Sequence, residues 1–325
     1  MYEECTVDKN RYKPLNKKDV GDLRPISPQI LIESFGSTSH IYSEVKQHLE
    51  TLWHKVKDNL NIKAKFDCWL STFRTLYGYE PSLDLFLDHT YLTIVTQIVA
   101  YLRLSNNEPN QDDIVEVIDG NYFRKKGIIN FLFKEDFSGW LLHPKIQDNS
   151  IIIVRGLVAK LTNYDFSNIG EDIFRGIYEE VVERKERHKA GEYYTPEWLV
   201  QLILNEVTAL WKERKGEVIP KILDPACGSG SFLYRAIKIL SEKIEKISVK
   251  DVIRNVAGID LNPLATTIAK LNYLLAIDGS VSELEGAAIP IYTRDCLKSP
   301  DLFDYDATIE QYDMLIGNPP WVAMR

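Results

Sequence analysis

The stretch KILDPACGSGSFL, residues 221–233, decides the fold. An apolar strand ends at Asp224, a tight turn follows, and a helix opens near Ser231. Gly228 and Gly230 take positive φ without steric cost and let a ligand come close to the backbone. The helix N-terminus presents unpaired N–H groups to an anion. A nicotinamide fingerprint requires glycine three places after Gly230, where this chain has Leu233. A P-loop requires a Gly-Lys-Ser/Thr ending, which is absent. The carboxylate of an amino-acid moiety is the partner left for the loop, with Asp224 placed to take its ammonium. A ligand-free strand-to-helix turn is the plain alternative, and the whole string DPACGSG weighs against it.

Toward the C-terminus, apolar runs alternate with helical patterns. Helix is predicted over 197–213, opening after Thr195-Pro196, then strand over 221–223 and helix over 231–247. Strand over 256–259, helix over 263–277 and strands over 289–292 and 312–316 complete the pattern. Strands alternating with helices mean βαβ crossovers and a parallel sheet, so the fold class is α/β. Asp260, in AGIDLNP (257–263), ends the second strand, where a carboxylate in an open α/β sheet accepts from ribose hydroxyls. Alone, an acid at a strand end is more often a helix cap. Asp295, in YTRDC, is a similar candidate for the amino group of an adenine, with a capped turn as its alternative.

The fourth strand delivers YDMLIGNPPW, residues 312–321. Pro319 and Pro320 have no N–H and a fixed φ, so the loop is stiff. Asn318 Oδ1 and the Pro319 carbonyl can face one point as two acceptors. That geometry suits an –NH2 group conjugated to a ring or carbonyl, and Trp321 offers a flat face for stacking an extruded base. A polyproline turn with a core tryptophan is the alternative.

Upstream the chain reads as helical. The pattern of residues 171–189 makes one helix with Ile173, Phe174, Ile177, Tyr178, Val181 and Val182 on its apolar face. A 22-residue apolar run, Leu83–Leu104, is interrupted by Asp84, Asp88, His89, Gln97 and Arg103 and reads as a buried core helix, stopped by Asn106, Asn107 and Pro109. Helices are also predicted over 41–60 and 64–76, the second ending at Gly78. Residues 1–28 read as an irregular lead-in, and 112–166 read mostly as helix, with 114–118, 128–133 and 151–159 open between helix and buried strand. The domain boundary falls near residue 165, giving a mainly helical domain over 1–165 and an α/β domain over 166–325.

Composition narrows the function. The 325 residues carry 45% apolar and 26% charged side chains, an ordinary globular mix. Lys and Arg number 39 against 47 Asp and Glu, a net charge of −8, which makes a poor non-specific polyanion binder. Four cysteines at 5, 68, 227 and 296 form no CxxC pair, so no zinc cluster or other metal site is expected, and scattered thiols fit a reducing cytoplasm. No signal peptide or membrane span is expected. Glu44-Val45-Lys46 has the E-x-K form of many nucleases but lies inside a helical pattern. The cationic stretch Arg184–Lys189 reads as a solvated helix end rather than a phosphate contact.

Residues 191–325 resemble the N6-adenine DNA methyltransferases of restriction–modification systems, the group containing type I modification subunits and fused restriction–modification enzymes. GEYYTP (191–196), DPACGSGSF (224–232), Asp260 and NPPW (318–321) occur in the family's order. The resemblance implies a Rossmann-like S-adenosylmethionine-dependent sheet behind a helical region. It implies methyl transfer from S-adenosylmethionine to adenine N6 in DNA, without a metal. Tyr194, Thr195 and Pro196 would then close over the cofactor. Asp224, Pro225, Ala226, Gly228 and Gly230 would form its main loop, Asp260 with Leu261 would hold the ribose, and Asp295 with Cys296 would stand near its adenine. Asn318, Pro319, Pro320 and Trp321 would grip the target base.

The chain stops four residues after Trp321, whereas related enzymes continue with further strands and a target-recognition domain. The expectation is an incomplete sheet of about four strands, inactive alone. It would reach double-stranded DNA through a missing or separate recognition domain, or be completed by a second polypeptide. Two other readings remain open: a methyltransferase acting on a protein glutamine or an RNA guanine amino group, and a non-catalytic remnant or cofactor-binding subunit.

Overall fold

The computed structural model describes residues 23–105, 109–132, 137–166, 169, 171–182, 194–243, 247–277, 288–297 and 311–320. The first element is a two-residue strand, β1 (Arg24–Pro25), paired in parallel with β2 (Tyr164–Asp165). Helix α1 (Pro28–Phe35) opens behind it, capped by Ser27 with Pro at its first turn. The lead-in expected over residues 1–28 therefore ends sooner than its prolines suggest, because Pro28 starts a helix instead of preventing one.

Helices α2 (His40–Val56), α3 (Leu60–Tyr77) and α4 (Leu83–Leu104) follow, with N-caps Ser39, Asn59 and Ser82. Asn59 accepts from the amides of Asn61 and Ile62, so α3 begins at Leu60 and not at Ala64 as expected, and α2 ends at Val56. Gly78 closes α3 in the left-handed conformation, φ 74°. Helix α4 has the expected bounds and is buried on every side from Leu85 to Tyr101. It is the one described helix long and apolar enough to span a bilayer, and 94% of its apolar window is enclosed by the protein.

Two of its buried polar residues find partners on neighbouring helices. Asp88 meets Lys46 Nζ at 2.6 Å and the Tyr42 hydroxyl at 2.5 Å, and Trp69 Nε1 donates to His89 Nδ1 at 3.2 Å. Burial pushes His89 down to about 3, leaving it neutral. Lys46 is thus spent on an ion pair between α2 and α4, which removes it from any nuclease role.

Residues 114–118 and 151–159 lie in helices, α5 (Gln111–Ile118) and α7 (Gln147–Leu161). Between them come the short helix α6 (Asn121–Lys125) and a 3₁₀ turn at Gly139–Leu142, while residues 128–132 form turns and bends, neither helix nor strand. Helix α8 (Phe174–Val181) buries the expected apolar face, and the stretch Arg184–Lys189 lies outside the described residues.

The second half holds α9 (Glu197–Lys215), β3 (Ile222–Asp224), α10 (Ser231–Lys243), α11 (Val249–Asn255), β4 (Val256–Asp260), α12 (Pro263–Ala276), β5 (Ile291–Thr293) and β6 (Met314–Leu315). Helix α11 is not expected from the sequence. It is seven residues long and is set by a Ser248/Asp251 capping box rather than by a long apolar period.

The four strands β3–β6 run parallel in the order β5-β4-β3-β6. Side chains alternate across the sheet. Ile222 and Val256 join the main core, and Leu223, Ala257 and Ile259 form a small cluster on the other face with Tyr292, Cys296 and Tyr312. Helix α12 packs on α4 and α10, and one continuous core runs from Leu31 to Ile316 through both halves. The sheet grows from β3 in both directions, so the crevice at the carboxyl ends of β3 and β6 is the place where such sheets bind ligands.

Candidate active site

Strand β3 ends at Asp224, whose side chain is almost wholly enclosed (1% exposed). Its Oδ1 accepts from the Ala226 amide at 3.1 Å. With no cation beside it among the described residues, burial raises the carboxyl to about 8. The turn that follows depends on its glycines: Gly228 has φ 52° and Gly230 has φ 89°. A β-carbon at Gly230 would lie 3.1 Å from that of Ala269, so α10 and α12 approach through this residue. The turn is pinned to β4 by Cys227 N donating to the Ile259 carbonyl at 2.8 Å. Ser229 is fully buried, and its hydroxyl has no partner among the described residues.

Asp260 joins this loop to the next one. Oδ2 accepts from Gly228 N at 2.7 Å and Oδ1 from Asn262 N at 2.8 Å. Burial raises its pKa against those bonds. The helix cap after β4 is Asn262, which accepts from Leu264 and Ala265, so Asp260 is not the N-cap of α12. Leu261, between the two, is 47% exposed, an open apolar side chain beside the loop. Asp295, past β5, accepts from Leu297 N at 3.0 Å, the capped turn that was its alternative reading. It remains near the site, since its neighbour Arg294 donates its amide to the Asp260 carbonyl at 2.9 Å. Cys296 lies half-buried against the small apolar cluster.

Strand β6 brings the second set of groups. Leu315 pairs with Leu223, and Ile316 N donates to the Leu223 carbonyl at 3.0 Å. Gly317 then passes Asp224 so closely that a β-carbon there would overlap Oδ1. Asn318 follows, half-buried, with Pro319 and Pro320 exposed. The asparagine therefore leaves the sheet at the same end as the glycine loop, one strand away. Trp321 lies outside the described residues, as do Gly191–Tyr193 of GEYYTP.

Tyr194 reaches the loop from the other side: its Cε1 lies 3.7 Å from where a Gly228 β-carbon would be. Thr195 is half-buried and its carbonyl accepts from Arg175 Nη1 at 2.6 Å, while Pro196 is exposed at the start of α9. Three contributors escape sequence reasoning: Asp172, Arg175 and Asn272. Asp172 is 6% exposed and accepts from Ser231 Oγ and Asn272 Nδ2, each at 2.7 Å. Their signal is faint, since Asp172 and Arg175 resemble ordinary first-turn charges and Asn272 sits inside an apolar helix.

Residues 169–324 match the family model described as N-6 DNA Methylase. This part of the chain belongs to the N-6 DNA methylase family. The methylase domain so defined starts at Ile169, whose carbonyl accepts from Tyr234 of α10, and takes in α8 with the whole sheet. Among curated relatives, the methylase subunit of the type I restriction enzyme EcoEI from Escherichia coli is 28% identical over 264 residues. That match covers 78% of this chain and 50% of the relative. The MjaVII type I methylase subunit of Methanocaldococcus jannaschii is 30% identical over 257 residues, 77% of this chain and 37% of the relative. The chain thus spans half or less of the length of these relatives. Both alignments are longer than the methylase domain, so they reach into the helical half. The cryo-electron microscopy structure of the DrdV–DNA complex has the same fold over 88% of this chain and 29% of that chain, with a TM-score of 0.57 and 15% identity.

Proposed function

We propose that this chain carries the methyl-donor site and the base-gripping loop of an adenine N6 DNA methyltransferase of restriction–modification type, built on a Rossmann-like sheet. The observation that carries the reading is the pairing of β3 with β6. It sets the glycine turn and Asn318 at one end of two hydrogen-bonded neighbours, with Gly317 against Asp224.

The site fits S-adenosylmethionine by its own features. Gly228, where a β-carbon would meet only Tyr194, leaves the backbone open to a carboxylate, and Asp224 is a buried acid with no cation beside it among the described residues for an ammonium to satisfy. Asp260 is placed for ribose hydroxyls, and Leu261 gives an apolar face for the adenosine. Tyr194, Thr195 and Pro196 cover the turn, and Asp295 with Cys296 borders it. When bound, this cofactor supplies a methyl group activated by its sulfonium.

Asn318 Oδ1 and the Pro319 carbonyl accept the two hydrogens of the adenine amino group, which keeps lone-pair density on nitrogen. Pro319 and Pro320 hold these acceptors stiffly, and the residue type at Trp321 suits stacking on a base. Their contribution is positioning and charge arrangement. The relatives' description as methylase subunits of restriction enzymes supports DNA as the acceptor. The cytoplasm, where scattered thiols stay reduced, is the location that goes with this reading.

Calorimetry with S-adenosylmethionine and tritium transfer to DNA, RNA and protein acceptors test the reading. Cofactor binding, together with label entering adenine of DNA when partner subunits are supplied, is expected. Absence of binding, or label in protein glutamine or RNA guanine, would overturn it.

A further inference from the structure

The glycine turn, the 194–195 segment and the Asp260–Asn262 turn come from three separate stretches of chain, and α8 with the residues that lead into it reaches all of them. We infer that α8 is the positioning element of the cofactor site, with Arg175 the residue that holds residues 194–195 over the glycine turn. The inference rests on the reading of that turn as the cofactor site.

Asp172, Arg175 and Tyr178 follow at three-residue steps along one side of the α8 region. Asp172 takes Ser231 Oγ, at the first residue of α10, and Asn272 Nδ2 of α12, while its Oδ1 also receives the Arg175 amide at 3.0 Å. Asn272 in turn donates to the Ser229 carbonyl at 2.9 Å. The first contact therefore fixes the far side of the glycine turn.

One turn along, Arg175 divides its guanidinium. Nε is 2.8 Å from Glu179, and Nη1 donates to the Thr195 carbonyl at 2.6 Å. The plane stands over the Tyr194 ring, 5.3 Å from its centroid. Only a planar fork holds a carboxylate, a carbonyl and a ring face at once. One turn further, Tyr178 OH accepts from Asn262 Nδ2 at 2.9 Å and meets Tyr194 edge-on, with ring centroids 6.0 Å apart. The Asp260 turn and the covering tyrosine thus share one support.

The helix is held from behind. A β-carbon at Gly176 would lie 2.6 Å from Ile32 Cδ1, so α1 and α8 lie in close contact. Ser37 and Thr38 donate to Glu180 Oε1 at 3.1 and 3.3 Å. The helical half thereby fixes the brace that sets the cofactor site.

The test uses the full chain with and without S-adenosylmethionine. In Arg175→Met, amide hydrogen exchange across residues 194–200 should rise about tenfold in the ligand-free protein, the loss expected for one charge-assisted hydrogen bond. Exchange over 222–240 should stay as in the wild type. Cofactor affinity should fall about tenfold, and Arg175→Lys should recover part of it, since an ammonium still reaches the Thr195 carbonyl. Unchanged exchange and affinity in Arg175→Met would overturn the inference. Should that variant unfold, Tyr178→Phe decides, because it removes one hydroxyl: faster exchange at 261–265 supports the brace and unchanged exchange overturns it. If the wild type binds no S-adenosylmethionine, the cofactor reading fails while the exchange measurements still judge the brace.

Discussion

Two buried carboxylates show how the halves of this molecule differ. Asp88, on α4, is 4% exposed and is met by the Lys46 ammonium and the Tyr42 hydroxyl. Asp224, at the end of β3, is 1% exposed and is met by a single backbone amide among the described residues. The first is a closed pair whose charges cancel within the fold. The second leaves its charge unanswered, and its pKa rises to about 8 as a result. A buried acid with a counter-charge holds structure together, whereas one without a counter-charge is the kind of group found at functional sites.

The sharpest way to break that contrast is at Lys46. Lys46→Met should cost about 3–5 kcal/mol in urea unfolding, because Asp88 is left buried without its counter-charge. The double variant Lys46→Met with Asp88→Leu should regain most of the loss. A single-variant cost below about 1 kcal/mol, the level of an exposed pair, would mean that Asp88 is not closed off after all.

A smaller effect is expected at Asp260. Asp260→Ala should weaken S-adenosylmethionine binding by about tenfold to a hundredfold, the worth of its charge-assisted bonds to Gly228 and to a ribose, read by calorimetry. Equal affinities would detach the acid from the ligand.

Asp224 gives a test that is read step by step along the pH axis. Its folded pKa is raised, so it stays protonated in the folded chain at pH values where the unfolded chain has released the proton. The stability it contributes is complete below the ordinary carboxylate range and is lost as pH rises through about 8. Between pH 5 and 8 (roughly) the wild type should lose up to about 1.4 kcal/mol per pH unit relative to Asp224→Asn, followed by denaturant titration at each pH. Cofactor binding near neutral pH should release a proton in the wild type and none in the variant, measured as a dependence of binding enthalpy on buffer ionisation.

The helical half was legible where a single period governed a long segment. Leu83–Leu104 has its expected bounds because Ser82 caps one end and polar residues close the other. The short elements were not legible. Strand β1 and helix α11 are two and seven residues long and depend on pairing or capping rather than on a repeating pattern. In the site, Asp224, Gly228, Gly230, Asp260 and Asn318 were readable because glycine and strand-end chemistry leave local marks. Asp172 and Asn272 were not, because their roles depend on a contact between residues a hundred positions apart. Tyr178 was read only for its apolar ring, while its hydroxyl carries the bond to Asn262.

The two loops that would perform the chemistry meet across the sheet. Leu223 and Leu315 are partners in register although the chain visits β4 and β5 between them. Their encounter is therefore indifferent to the route that joins them. Insertions in that detour lengthen the gene without separating donor from acceptor, and a circular permutation opened between β5 and β6 would reverse the order of the motifs on the chromosome while leaving the reaction geometry untouched.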